Sequence, residues 1–293
     1  MEFSKKIMLC LIGEQPIPIL LPLKYLKPEV SVLLYSDLTK RTKERLAKAI
    51  KDMEVVELYI PNPYDIFEIQ DKIKELIERR AWDPKDIIFN LTGGTKPMSF
   101  AGYWIAQENN ISFIYLQTEG GKSLVYWYEF SDHKPQSPKT YLIPSVLTID
   151  DYLIVHLGEF ESSDPKDDFE RAVFNCIKDE VDEIKSSVRH GGSLEIDLIF
   201  RIKNQVGIAE VKKGQRAMRR EGIDQLNTAA EQRFLGTYTH KFLIIDREIP
   251  SNNRELAEAH RIKIIELKSF QKGSISEDDK NLLIKTIKSV LVR

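Results

Sequence analysis

Short apolar runs recur along the first half of the chain, at residues 7–12, 30–35, 55–60, 86–91 and 111–116. Between them lie segments with helical spacing. Residues 65–80 place Ile66, Ile69, Ile73, Leu76 and Ile77 on one stripe, and residues 40–53 do the same with Leu46, Ala49 and Ile50. Strands alternating with helices pack as a parallel sheet covered on both faces, so a Rossmann-like α/β domain is expected here. A further strand is expected at 123–130, and the polar, proline-containing stretch 131–144 reads as a connector.

The second half follows a different order. A long helix at about 164–187 is expected to precede a Gly191–Gly192 break and two strands at 194–202 and 205–211. A helix at 223–234, strands at 240–245 and 262–267, and a final helix follow. The expected organisation is thus α/β throughout, with one domain at 1–145 and a second at 146–293. A chain of 293 residues is long enough for two cores.

Composition limits the function classes. Lys and Arg number 43 against 45 Asp and Glu, a net charge of −2, which excludes a histone-like basic protein. Cys10 and Cys176 stand far apart, with no Cys/His spacing suited to zinc. A reducing, cytoplasmic location is expected. The longest apolar stretch, 17–23, is broken by Pro18 and Pro22 and is too short to span a bilayer, so no membrane partner is expected. Tyr103, Trp104, Tyr126 and Trp127 are read as core and dimer packing.

The chemistry-bearing stretch of the second half is SLEIDLIFRIKNQVGIAEVKK, residues 193–213. Glu195 and Asp197 share one strand face, and Glu210 and Lys212 share a face of the next strand. A two-residue turn at Lys203–Asn204 would place Asp197 opposite Glu210 and Glu195 opposite Lys212. Neighbouring carboxylates repel unless a cation lies between them, and oxygen ligands suit Mg²⁺ or Mn²⁺. An adjacent lysine can hold an attacking water or stabilise phosphoryl charge. A solvated strand face with cross-strand Glu–Lys pairs has the same pattern. Apolar residues flanking the acids make buried charges costly unless they are used, and both readings stay open on the pattern alone.

These residues resemble the PD-(D/E)xK restriction-endonuclease-like superfamily, an acid on one strand followed by (D/E)-x-K on the next. Asp197 matches the first acid and Glu210-Val211-Lys212 the second motif. The acid on the preceding helix is matched by Glu170, and the glutamine on the following helix by Gln225. The resemblance implies catalysis by these five residues, Asp197, Glu210, Lys212, Glu170 and Gln225. It implies a metal at Asp197, Glu210 and Val211. No proline precedes Asp197, a departure the superfamily tolerates. The basic run Lys213, Arg216, Arg219 and Arg220 follows the motif and suits contact with a phosphate backbone.

In the first half, Asn90-Leu91-Thr92-Gly93-Gly94-Thr95-Lys96-Pro97-Met98-Ser99 joins a buried strand to a helix. Glycines allow close backbone approach, and a helix N-terminus offers free N–H groups to an anion. Lys96 adds charge, and Thr92, Thr95 and Ser99 add hydroxyls. Neither the P-loop nor the GxGxxG spacing is present. The stretch resembles the CARF (CRISPR-associated Rossmann fold) sensor domain, whose [ST]-x-G-x-[KR]-like turn is matched by Thr92, Gly94 and Lys96. Gly13, Gln15 and Pro16 fill the turn after the first strand, and Ser36 and Thr39 stand at the tip of the second. The resemblance implies a ligand site that also includes Gly93, Thr95 and Ser99. It implies a homodimer that binds a cyclic oligoadenylate, the tetra-adenylate being the commonest.

The chain as a whole therefore resembles a CARF–nuclease fusion of type III CRISPR defence. The expected activity is that of a metal-dependent endonuclease, switched on by cyclic tetra-adenylate and acting on single-stranded DNA or RNA. Two rivals are a ligand sensor that binds nucleic acid or a partner protein without catalysis, and a constitutive repair or restriction nuclease.

Overall fold

The computed structural model describes residues 5–192, 194–231, 234–236, 238–271 and 273–292. The chain divides into two compact units, Met1–Val146 and Leu147–Arg293.

In the first unit the order is β1 Ile7–Leu11, α1 Ile17–Leu26, β2 Val30–Tyr35, α2 Lys40–Ala49, β3 Glu54–Tyr59, α3 Ile66–Arg79, β4 Ile87–Asn90, α4 Lys96–Glu108, β5 Ser112–Glu119 and β6 Lys122–Tyr128. Three short strands follow, β7 Phe130–Ser131, β8 Lys134–Pro135 and β9 Lys139–Leu142. The main sheet runs β3-β2-β1-β4-β5-β6-β9. Its first five strands are parallel, while β6 and β9 pair antiparallel. Leu9, Leu11, Val32, Leu34, Phe89, Ile69, Ile73 and Ile105 are fully buried in one core. The expected connector is thus partly sheet, since Lys139–Leu142 takes the edge beside β6. Its largely exposed residues fit an edge strand, which polar residues can occupy.

The order of β1 and β4 matters for function. The chain moves outward from β1 through β2 to β3, then returns to the other side of β1 for β4. The loops after β1 and β4 therefore leave adjacent strands at a topological switch point, the place where open α/β sheets receive ligands.

The second unit contains α5 Ile149–Leu157, α6 Asp168–Ile177, β10 Glu183–His190, β11 Leu194–Ile202, β12 Gln205–Lys212, α7 Glu221–Ala229, β13 His240–Ile245, α8 Ser251–Ala259, β14 Ile262–Glu266 and α9 Glu277–Leu291. Its sheet order is β10-β11-β12-β13-β14. The first three strands are antiparallel and the last three parallel. Phe169, Phe200, Phe242, Ile244, Leu283 and Ile287 lie in its core. The long helix expected at about 164–187 is a correction. Asp167 caps a helix of ten residues, and the chain then forms an edge strand in which Ser186, Ser187 and Val188 are buried in succession. The charged, helix-like composition after Ile177 carries no period-two alternation that would mark the strand. The helix expected at 223–234 is also shorter, ending at Ala229, and residues 232 and 233 lie outside the described residues.

Among the described residues, no helix is long and apolar enough to cross a membrane.

Candidate functional site

The hairpin of β11 and β12 has the expected register, from Ile202 opposite Gln205 to Leu198 opposite Ala209. The ladder stops there. Asp197, one residue beyond it, turns its carboxylate to the other strand and accepts the Val211 N–H on Oδ2 at 2.9 Å. Lys212 donates to the same oxygen at 2.9 Å and to Glu210 Oε2 at 2.5 Å. Asp197 and Glu210 are 2% and 1% exposed. Close approach of α7 helps to cover them: a Cβ at Gly222 would lie 2.9 Å from Leu243 Cδ1, 3.6 Å from Lys212 Cγ and 3.9 Å from Glu210 Cβ.

These groups hold charge unequally. Burial and the neighbouring Asp197 charge push the Glu210 carboxyl well above the usual range. Burial acts on Asp197 as well, but the Lys212 ammonium and the hydrogen bonds from Glu210 and the Val211 N–H outweigh it and hold Asp197 ionised. For Lys212, burial alone would weaken proton binding. The two carboxylates reverse that and raise it above an ordinary lysine.

A second lysine, which sequence reasoning missed, completes the cluster. Lys166 in the loop before α6 places Nζ 2.6 Å from Glu195 Oε1 and 3.4 Å from Asp197 Oδ1. Glu195 also takes Arg189 at 2.9 Å. The expected cross-strand pair of Glu195 with Lys212 is therefore replaced by two other cations. Glu170 on α6 comes to the same cleft, where its Oε2 accepts the backbone N–H of Lys166 at 2.9 Å. Burial pushes its carboxyl up.

The cleft over Asp197 has a volume of about 330 Å³ and is bordered by Lys212, Lys213, Arg216, Lys166 and Glu170. Gln225 lies instead along a neighbouring groove with Glu195, Glu221 and Asp224. Its Oε1 is buried without a hydrogen-bond partner. The basic run divides. Lys213 pairs with Asp168 and Asp167. Arg220 pairs with Asp224, while Arg216 and Arg219 are exposed. Asp246, at the end of β13, accepts the Gly214 N–H on both oxygens at 3.1 and 3.0 Å, fixing the turn that follows the Glu-Val-Lys-Lys segment.

Among the described residues, no three His, Cys, Asp or Glu side chains are gathered so as to hold a metal ion. The oxygen donors available are the Asp197 and Glu210 carboxylates with the main chain of Val211. Two buried carboxylates fit a hard divalent cation in donor type.

In the first unit, the switch point brings the two expected loops into contact. A Cβ at Gly13 would lie 3.1 Å from Gly94 N, and one at Gly93 would lie 2.2 Å from Leu11 O. Only residues without a side chain allow this approach. Asn90, fully buried, joins the loops: its Oδ1 accepts the Thr92 N–H at 3.1 Å and its Nδ2 donates to Pro18 O at 3.2 Å. The hydroxyls have internal work. Thr92 Oγ1 accepts the Leu116 N–H at 2.8 Å, and Ser99 Oγ donates to Thr95 O at 3.3 Å. Thr95 Oγ1 caps α4 through Met98 N and donates to Pro63 O at 2.6 Å. Ser36 and Thr39 are buried and bonded to each other. Lys96 is exposed at the first turn of α4, and Gln15 is half-buried beside Pro16, which starts α1.

No curated protein matches the sequence. Solved structures share the fold, among them the following three. Can2 from Sulfobacillus thermosulfidooxidans, in complex with cyclic tetra-adenylate, matches over 98% of this chain and 97% of its own, at 15% identity and a TM-score of 0.75. Protein VC1899 from Vibrio cholerae matches over 98% and 99%, at 13% identity and a TM-score of 0.75. A type III CRISPR defence DNA nuclease activated by cyclic oligoadenylate matches at 14% identity and a TM-score of 0.70. This chain spans about half of that longer protein, with 98% of this chain and 52% of the other covered. The family model of the Card1 CARF domain matches residues 7–152. The chain is a CARF-domain protein, its first unit being a domain of the Card1 CARF type.

Proposed function

We propose that the protein is a cyclic oligoadenylate-activated, metal-dependent nuclease of type III CRISPR defence. In this reading, residues 1–145 act as the sensor and residues 146–293 as a PD-(D/E)xK nuclease domain. The observation that carries it is the pair of carboxylates Asp197 and Glu210, 2% and 1% exposed, joined through Lys212 under an open cleft. Ionisable groups buried this deeply are expensive to keep unless chemistry uses them. The fold shared with Can2, solved with cyclic tetra-adenylate, supports the same ligand for the glycine-joined loops of the first unit.

Asp197, Glu210 and the main chain of Val211 would hold Mn²⁺ or Mg²⁺, which supplies Lewis acidity toward a phosphoryl oxygen when bound. Lys212, fixed by both carboxylates, orients the attacking water and stabilises charge developing on the phosphodiester. Arg216 faces the strand from the cleft rim. In the first unit, Lys96 and the N-terminus of α4 receive a phosphate of cyclic tetra-adenylate, with Gln15 on the opposite loop. A homodimer would bind this ligand, which shifts the equilibrium between inactive and active arrangements.

The test is cleavage of single-stranded DNA, single-stranded RNA and supercoiled plasmid with Mn²⁺, with and without cyclic tetra-adenylate, for the parent chain and Glu210→Ala. Cleavage that needs both the ligand and Glu210 is expected. Cleavage indifferent to the ligand overturns the sensor assignment, and tight ligand binding without cleavage leaves a binding-only protein.

A further inference from the structure

We propose that Lys166 is a second phosphate-binding lysine of the C-terminal site, gripping the phosphodiester of a nucleic-acid strand from the side opposite Lys212. This rests on the nuclease reading and extends it to a residue outside the acid–acid-x-Lys motif.

Lys166 is anchored at both ends. Its backbone N–H is held at 2.9 Å by Glu170, a buried carboxyl on α6. Its ammonium is held at 2.6 Å by Glu195 and reaches Asp197 Oδ1 at 3.4 Å, while Lys212 occupies Oδ2 at 2.9 Å. One carboxylate thus carries a lysine on each oxygen. The two lysines differ in access: the Lys212 side chain is 14% exposed and that of Lys166 is 35%. Lys212 serves the buried acids, whereas Lys166 stands at the opening of the cleft.

Charge balance does not require Lys166. Glu195 already has Arg189 at 2.9 Å, and Asp197 has Lys212. An ammonium has three N–H donors. Glu195 and Asp197 accept two, which leaves the third for a ligand in the cleft. Of the other cations on its border, Lys213 is drawn off by Asp168 and Asp167, and Arg216 is exposed. Lys166 and Arg216 together therefore offer an anionic strand a held cation and an exposed one. Lysine as a point charge suits a phosphate oxygen.

The test uses the full chain in a Glu210→Gln background, so that the strand is not cut, with Mn²⁺ and saturating cyclic tetra-adenylate. Binding of fluorescein-labelled single-stranded DNA and RNA oligonucleotides is followed by anisotropy over a range of salt. Lys166→Met is expected to weaken binding about tenfold and to make the slope of log Kd against log salt shallower by about 0.7, one phosphate contact. Lys166→Arg is expected to restore the slope. With Glu210 intact, Lys166→Met is expected to raise KM more than it lowers kcat. An unchanged slope and KM in Lys166→Met, beside a parent chain that cuts the strand, overturns the Lys166 assignment and leaves the nuclease reading in place. A parent chain that neither binds nor cuts any strand overturns both.

Discussion

Lys212 Nζ lies 2.9 Å from Asp197 Oδ2 and 2.5 Å from Glu210 Oε2, so the two buried acids share one ammonium. Asp197 is held below the usual aspartate value, whereas Glu210, 1% exposed, is pushed well above the usual glutamate value. Two near-isosteric substitutions should therefore differ sharply. Glu210→Gln removes the carboxyl whose charged form is the more disfavoured and should change folding stability by less than about 1 kcal/mol while abolishing cleavage. Asp197→Asn removes the anion facing Lys212 and should cost about 3–5 kcal/mol. Urea unfolding of the full chain, followed at the C-terminal unit by hydrogen exchange, compares them. Equal losses from both substitutions would refute the division of charge.

The sensor loops predict a separation of binding from folding. Lys96 is exposed, whereas Thr95 caps α4 and bonds Pro63 O at 2.6 Å. Lys96→Ala should leave the melting temperature within a degree or two and weaken cyclic tetra-adenylate binding by a factor on the order of 10–100, the loss of one charge-assisted phosphate contact. Thr95→Val should instead cost about 1 kcal/mol of stability as a lost N-cap. Calorimetric titration with the cyclic nucleotide, beside thermal melts, reads both. Lys96→Ala binding at parental affinity would remove Lys96 from the ligand site.

Backbone contact at the switch point makes Gly93 stricter than Lys96. A methyl group there would stand 2.2 Å from Leu11 O, an atom of the central strand that cannot swing away. Gly93→Ala should cost on the order of 3 kcal/mol, because the loops after β1 and β4 must separate. Ligand binding should fall with it. A Gly93→Ala chain as stable as the parent, measured by urea unfolding, would mean that the two loops can part freely.

How much of this was legible follows from what each residue depends on. Asp197, Glu210 and Lys212 were readable because period-two alternation and one two-residue turn fix which side chains can meet. Lys166 was not, since its place depends on a loop that returns to the sheet from thirty residues upstream. Nor could the basic run be sorted by composition: Arg220 has a local i,i+4 partner in Asp224, but Lys213 is neutralised by Asp168 at the start of α6, which the local sequence does not announce. Ser36 and Thr39 stand at a strand tip, where their three-residue spacing lets Thr39 Oγ1 accept the Ser36 N–H and donate to Ser36 O, a local bond the tip position alone does not announce. The edge strands β9 and β10 were missed for one reason. Half-exposed strands need few apolar residues, so polar composition masked them.

The turn after Lys213 supplies a pH test. Asp246 accepts the Gly214 N–H on both oxygens, at 3.1 and 3.0 Å, and Arg247 Nε lies 2.9 Å from Oδ1. Burial pushes its carboxyl up, but Arg247 and the Gly214 N–H outweigh this and hold it below the usual aspartate value. A carboxyl depressed in the folded state stabilises fully above its unfolded value of about 3.9 and loses that contribution as pH falls through the folded value. Asp246→Asn should therefore cost about 1 kcal/mol at pH 7, and the gap from the parent should close as pH falls below about 4. Urea midpoints of the two proteins from pH 7 to pH 3 measure this. The same substitution frees the turn carrying Gln215 and Arg216, so strand cleavage at pH 7 should fall several-fold even where the chain is fully folded. A gap that widens on acidification would show that Asp246 is not held as the anion.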